Sequence, residues 1–171
     1  MIYVKNNEVY NGGVLVIADR QVVNPTHEQL IAAGWTQEEA PVPTAEEQLV
    51  EAKRTRLYEL ERYDASAAVN AMTFNGVETW LDAQTRANYR NSIDSAEILG
   101  ETSVTVGLAG QAVVLSIMEA KVILAKIQRY ADACYMVTQG HRKAIEVLTT
   151  VEDVDGYDYT QGYPEKLAIP E

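Results

Sequence analysis

The chain has 171 residues, of which 47% are hydrophobic and 23% are charged, a composition that excludes the collagen-like, disulfide-rich and fully disordered classes. Its formal charge of −11, without any local basic patch, argues against binding to nucleic acid or to an anionic membrane. One cysteine cannot form an internal disulfide, no apolar run has the length of a membrane span, and no secretion signal is expected at the N-terminus.

Residues 1–40 are expected to form a small β-rich module. Strand-forming residues at 2–23 are interrupted by Asn and Gly pairs that favour chain reversals, which predicts two or three short antiparallel strands. The apolar run Val14–Ile17 is the strand that we expect to be most buried, covered on both faces. Thr26 and Gln29 then have the spacing of a capping box and predict a short helix.

A linker is predicted at residues 41–44, where two prolines at alternate positions hold the backbone extended. A mainly helical module with two β-hairpins follows at residues 45–150. Asn75-Gly76 favours a two-residue hairpin turn, and a second hairpin is predicted around residues 107–110. The fold class is therefore α+β, with a small N-terminal β-rich module followed by a mainly helical module.

The longest element is a helix predicted at residues 116–148. Apolar and small residues recur along it every three or four positions, which is typical of a coiled-coil seam. We expect the seam to bury against the helix at 44–63 of the same chain, in antiparallel packing, or against a symmetry mate, and the two do not exclude each other. The seam residues proposed for interaction are Ile117, Leu124, Ile127 and Ile145.

Residues 151–171 are predicted to form a C-terminal tail that is acidic and rich in tyrosine and is extended at residues 155–164. The chain has ten tyrosines against one phenylalanine, and tyrosine is favoured at polar interfaces. We expect Tyr157, Tyr159 and Tyr163 to lie against a surface, either the helices of the same chain or a neighbouring subunit.

No catalytic, cofactor-binding or metal-binding residues are predicted. Two distant histidines and one cysteine do not provide a zinc site, and we expect His141 and Cys134 to have packing roles. Asp153, Asp155 and Asp158 have nearly the spacing of a calcium loop, but no glutamate closes it. The chain is therefore expected not to be an enzyme and to need no cofactor.

Several short motifs resemble a domain-of-unknown-function family found in fibre-like structural proteins of gut bacteriophages, including crAss-like phages. The similarity covers roughly residues 45–167, and Met72 stands where the family is expected to prefer phenylalanine. The segment before it, with Asn24-Pro25-Thr26 and Ala33-Gly34-Trp35, is similar to a segment that precedes such domains. The motifs of the main domain are Tyr-Asp-Ala-Ser-Ala-Ala-Val-Asn at 63–70, Phe74-Asn75-Gly76, Trp80-Leu81-Asp82, Tyr130-Ala131, Val137-Thr138, His141 and Tyr-Asp-Tyr-Thr-Gln-Gly-Tyr-Pro at 157–164.

The resemblance implies a non-enzymatic virion structural protein, a component of a head fibre, tail fibre or other capsid-associated appendage that mediates attachment and assembly. It would be made in the host cytoplasm, would associate with other phage structural proteins and would form a homo-oligomer. The alternative is a phage-encoded chaperone for fibre assembly that is absent from the mature particle. A peptidoglycan or glycan hydrolase is disfavoured because no catalytic constellation is visible.

Overall fold

The computed structural model describes residues 1–17 and 19–170, so Ala18 and Glu171, the last residue of the predicted tail, lie outside the described residues. The fold is mixed α+β, as predicted, with small β-sheets in the N-terminal part and a mainly helical C-terminal part. The chain divides into two compact units, Met1–Thr44 and Ala45–Glu171.

The helices and strands are numbered here in chain order. They are β1 (Ile2–Lys5), β2 (Glu8–Val9), β3 (Val14–Ile17), β4 (Arg20–Val23), α1 (His27–Ala32), β5 (Thr36–Glu38), α2 (Ala45–Asp64), β6 (Met72–Phe74), β7 (Val77–Thr79), α3 (Ala83–Ile98), β8 (Ser103–Leu108), β9 (Gln111–Ser116), α4 (Ile117–Val147), α5 (Val151–Gly156) and β10 (Ala168–Ile169).

The first unit contains an antiparallel sheet in the order β2-β1-β5 and a separate hairpin of β3 and β4. Residues 2–23 thus hold four strands where two or three were expected, and β5 was not predicted. The predicted capping box of α1 is confirmed, since the Gln29 N–H donates to Thr26 Oγ1 over 3.4 Å and the Thr26 N–H donates to Gln29 Oε1 over 2.9 Å.

Burial of β3 on both faces was expected, and this is wrong. Val14 is 54% exposed and Val16 is 68% exposed, while Leu15 and Ile17 are half-buried. Because β3 pairs only with β4, its side chains alternate between a partly covered face and an open one. An apolar run therefore did not distinguish a strand covered on two faces from one covered on a single face.

In the second unit, α2 and α4 pack against each other in antiparallel orientation. In the first half of α2, Lys53 Nζ donates to the carbonyl of Glu146 over 2.7 Å. Farther along α2, Glu61 forms an ion pair with Arg142, which precedes Glu146 on α4, at 2.9 Å. The long helix α4 thus packs against α2 of the same chain, which is one of the two arrangements that the sequence predicted.

Both hairpins of the second unit are present. Asn75 and Gly76 connect β6 to β7 with φ of 50° and 77°, the two positive values that the predicted two-residue turn requires. The turn between β8 and β9 is Ala109-Gly110, shorter than the predicted 107–110. The strands continue up to this turn because Leu108 pairs with Gln111 and is buried in the core.

The Asp82 side chain caps the start of α3, since Asp82 Oδ1 accepts from the Thr85 N–H over 2.6 Å.

The main hydrophobic core lies where the two hairpins meet α4. Strand β10 returns from the C-terminal segment and pairs in parallel with β6. The buried members of the core are Met72, Phe74, Leu81, Val106, Leu108, Ile127 and Ile169.

Candidate functional site

The predicted seam of α4 is covered by residues of the same chain. Ile127 and Ile145 are fully buried, and Ile127 belongs to the main core. Ile117 and Leu124 are only half-buried, and Leu124 lies with Ile93 between α3 and α4. The chain itself therefore covers Ile127 and Ile145 completely and Ile117 and Leu124 in part.

The predicted C-terminal tail begins with a short helix, α5, whose last two residues, Asp155 and Gly156, were expected to be extended, and for those two residues the prediction is wrong. Val154 on α5 is fully buried, and the α5 backbone is tied to α2 because Arg56 Nε donates to the Val154 carbonyl over 2.9 Å. Thr150 provides a cap, accepting from the Asp153 N–H over 3.1 Å. The helix was not predicted because Val154 stands among acidic residues, and so short a stretch has no repeating pattern of apolar positions.

After α5 the chain lies across α2 and α4, and its three predicted interface tyrosines come together there. Tyr63 of α2 contacts the rings of Tyr159 and Tyr163, with centroid separations of 5.7 and 5.6 Å. The Arg56 guanidinium lies over the Tyr159 ring at 5.5 Å. We define the tyrosine cluster as Tyr63, Asp64, Thr138, His141, Tyr157, Tyr159 and Tyr163.

Thr138 is the polar centre of the tyrosine cluster and is 3% exposed. Its hydroxyl donates to Asp64 Oδ1 over 2.6 Å, because a carboxylate oxygen only accepts. Because the single hydroxyl hydrogen of Thr138 is donated to Asp64, the Tyr163 hydroxyl donates to Thr138 Oγ1 over 2.9 Å. Burial raises the pKa of Tyr163, which opposes ionisation of this donor.

His141 joins two points of the C-terminal segment to α4. Its Nε2 lies 2.8 Å from the carbonyl of Gln161, which can only accept, so Nε2 carries the proton. In the neutral ring Nδ1 then accepts from the Tyr157 hydroxyl, also at 2.8 Å. Both ring nitrogens of His141 thus have partners within the chain. Burial raises the pKa of Tyr157, which keeps its hydroxyl protonated as a donor.

Cys134 and Tyr130 lie one and two turns before Thr138 on α4, in a smaller core with Val69. The Tyr130 hydroxyl donates to the Val69 carbonyl over 3.2 Å, and burial raises the pKa of Tyr130 to about 12. Burial also raises the pKa of the Cys134 thiol. A reactive cysteine needs a lowered pKa, so Cys134 has the environment of a packing residue.

The chemistry available to these side chains is limited by their partners. Within residues 1–17 and 19–170, no group of three or more His, Cys, Asp or Glu side chains is arranged to hold a metal ion. The buried side-chain nitrogen and oxygen atoms of the same residues all have hydrogen-bond partners. No helix in this described part of the chain is long and apolar enough to cross a membrane.

Sequence reasoning missed two residues that matter here, Asp64 and Arg56. Asp64 is the last residue of α2, and its side chain accepts from Thr138. A further bond to its carbonyl comes from Asn70 Nδ2, over 2.7 Å. Asp64, Asn70 and Thr138 all lie in the motifs that carry the family resemblance, which was the available signal. Arg56 lies outside those motifs.

Comparisons with protein-family models, with curated proteins and with solved structures find no match to this chain.

Proposed function

We propose that the chain is a non-enzymatic structural protein of a bacteriophage virion. It is a component of a head fibre, tail fibre or other appendage, made in the host cytoplasm and incorporated through contacts with other phage structural proteins and with copies of itself. One observation carries the proposal: four of the motifs that resemble phage fibre-like proteins, at residues 63–70, 137–138, 141 and 157–164, lie far apart in sequence but meet in the tyrosine cluster.

The positions of these motif residues support an architectural role for them. Tyr63 and Asp64 come from the end of α2, Thr138 and His141 from α4, and Tyr163 from the C-terminal segment. Their hydrogen bonds join three segments that are distant along the chain, so the shared residues account for one particular packing arrangement.

The electrostatics of the cluster support a non-enzymatic role. A nucleophile or general base needs a pKa close to the working pH, whereas burial raises the pKa of Tyr157, Tyr163 and Cys134 away from it. His141 has both ring nitrogens bonded within the chain. These residues stabilise the fold, and we propose that it acts without catalysis, cofactor or metal.

The charge of the chain supports protein partners. A formal charge of −11 repels nucleic-acid phosphates and anionic lipid headgroups, so contacts with other structural proteins are favoured over contacts with genome or membrane. The same acidity suits a soluble fibre-assembly chaperone, which is the second candidate.

Disruption of the gene in a phage that encodes this chain tests the proposal. We expect particles that lack an appendage, seen by negative-stain electron microscopy, and a loss of infectivity that is restored when the chain is supplied from a plasmid. A matched plasmid that encodes the chain without residues 152–171 should fail to restore the appendage, because α5 and the tyrosine cluster would be incomplete. Complete, infective particles formed without the chain would contradict the proposal.

A further inference from the structure

An open apolar groove of about 520 Å³ lies beside the first half of α4. Phe74 and Ile169 from the main core reach it, together with Ile123. At its surface Met118 is 70% exposed and Val122 is 45% exposed, although both are apolar and lie one turn apart on α4. The groove is separate from the predicted seam, which the chain covers itself.

Two of the described residues that line the groove are charged, and their charges are opposite. They are Glu119 and Lys126, two turns apart on α4, or about 10 Å along the helix axis, with Val122 between them. Glu119 is held in place because its Oε2 accepts from the Ser116 N–H over 2.9 Å and from the Ser116 hydroxyl over 2.7 Å. These bonds lower the pKa of Glu119, so its negative charge is fixed in position and in sign.

We infer that this groove binds the same groove of a second copy of the chain, with the two α4 helices antiparallel about a twofold axis near Val122. A twofold axis reverses the order of residues along the partner helix, and it therefore places each Glu119 opposite the second copy's Lys126. Near the axis, Val122 of each copy then packs against Val122 of the other, and Met118 is covered by the second copy's α4 next to its Lys126.

Charge favours a second copy over another occupant. The whole chain carries −11, so two copies repel each other over most of their surfaces, but the charges that line the groove cancel. A twofold contact needs a surface that is complementary to itself, and one acid and one base spaced evenly about an apolar centre provide this. The contact lets the chain oligomerise through a surface other than the seam, whose Ile127 and Ile145 are buried within the chain.

The test uses two purified charge-reversal variants, Lys126→Glu and Glu119→Lys, in sedimentation equilibrium. Each variant alone places like charges opposite each other at both ends of the contact, and we expect its dissociation constant to rise roughly 10- to 100-fold relative to the natural chain. Mixed together, the two variants restore opposite charges at both ends and should form a heterodimer with near-natural affinity. Lys143→Glu, an exposed site on α4 away from the groove, is the control with the same change in net charge as Lys126→Glu.

Circular dichroism and thermal melting of each variant establish that it is folded before its association is measured. A natural chain that stays monomeric throughout the concentration series would overturn the inference. An equal rise in the dissociation constant for Lys126→Glu and for Lys143→Glu would also overturn it. The same holds if a mixture of Lys126→Glu and Glu119→Lys associates no more tightly than either variant alone. The test uses purified protein only, so its failure is distinguishable from a failure of the proposed virion role.

Discussion

Thr138 of α4 donates a hydrogen bond to the Asp64 carboxylate at the end of α2, over 2.6 Å and 74 positions of sequence. Thr138 also accepts from Tyr163, so one buried hydroxyl joins α2, α4 and the C-terminal segment. A buried hydroxyl without partners is costly, and the three segments must therefore come together for each to be satisfied.

Removal of the Thr138 hydroxyl should destabilise the protein without changing its shape. Thr138→Val leaves Asp64 and Tyr163 without a buried partner, and we expect a loss of about 1–3 kcal/mol in the free energy of unfolding, measured in urea. Thr138→Ser retains the oxygen and should lose less. Thr105→Val, on an exposed position of β8, is the control and should change stability by no more than about 0.5 kcal/mol. Equal stability of the two valine variants would show that the hydroxyl contributes nothing.

The seam residues of α4 differ in burial, and their contributions to the free energy of unfolding should differ in the same order. Ile127 is fully buried, so Ile127→Ala should cost about 2–5 kcal/mol, whereas half-buried Leu124 should cost less on truncation to alanine. Chemical denaturation of the two variants under the same conditions gives the comparison. A larger loss at Leu124 than at Ile127 would mean that Leu124 is covered by something that this single chain does not provide.

Two glycines of the second unit should respond in opposite directions to an added side chain. Gly76→Val should destabilise, because Gly76 has a φ of 77° and a branched side chain resists that conformation. Gly140 lies inside α4, and apart from its chain neighbours and the nearby helix backbone no atom lies within 4 Å of where a Cβ would stand, so Gly140→Ala should stabilise by about 0.5–1 kcal/mol. Thermal unfolding measures both effects, and a destabilising alanine at Gly140 would contradict the open surroundings of that helix face.

Alkaline unfolding should depend on Tyr130. Its pKa is about 12 in the folded protein against about 10 in an unfolded chain, so the unfolded state loses the proton first. The stability from this group is fully present below about pH 10 and is lost as the pH rises towards 12. Tyr130→Phe should therefore have a smaller decline in stability over that interval than the natural chain. Tyr58→Phe, at a 61% exposed position, is the control and should keep the natural decline.

Features that depend on neighbouring residues could be predicted from the sequence. The cap at Thr26 and the turn at Asn75-Gly76 are examples, since a few adjacent side chains determine each of them. The α+β class followed from the sum of such local signals.

Features that depend on distant partners could not be predicted in this way. Strand β10 exists because Ala168–Ile169 pairs with β6, and its two residues carry no strand signal of their own. The open face of β3 depends on which strands pair with it. In the tyrosine cluster, Tyr157, Tyr159 and Tyr163 were identified from composition, but their partners were not, because hydrogen bonding between segments leaves no periodic pattern.

Quantitative mass spectrometry of purified virions tests the proposed virion role most directly. If the proposal is correct, a phage encodes the chain, and its particles can be purified on a density gradient, washed in high salt and digested with protease. Isotope-labelled peptides of the chain and of the major capsid protein are added as standards. We expect peptides of the chain at a constant ratio to the capsid protein across the particle fractions. Peptides that are abundant in the infected-cell lysate but absent from the washed particles would contradict the structural role and favour the assembly chaperone.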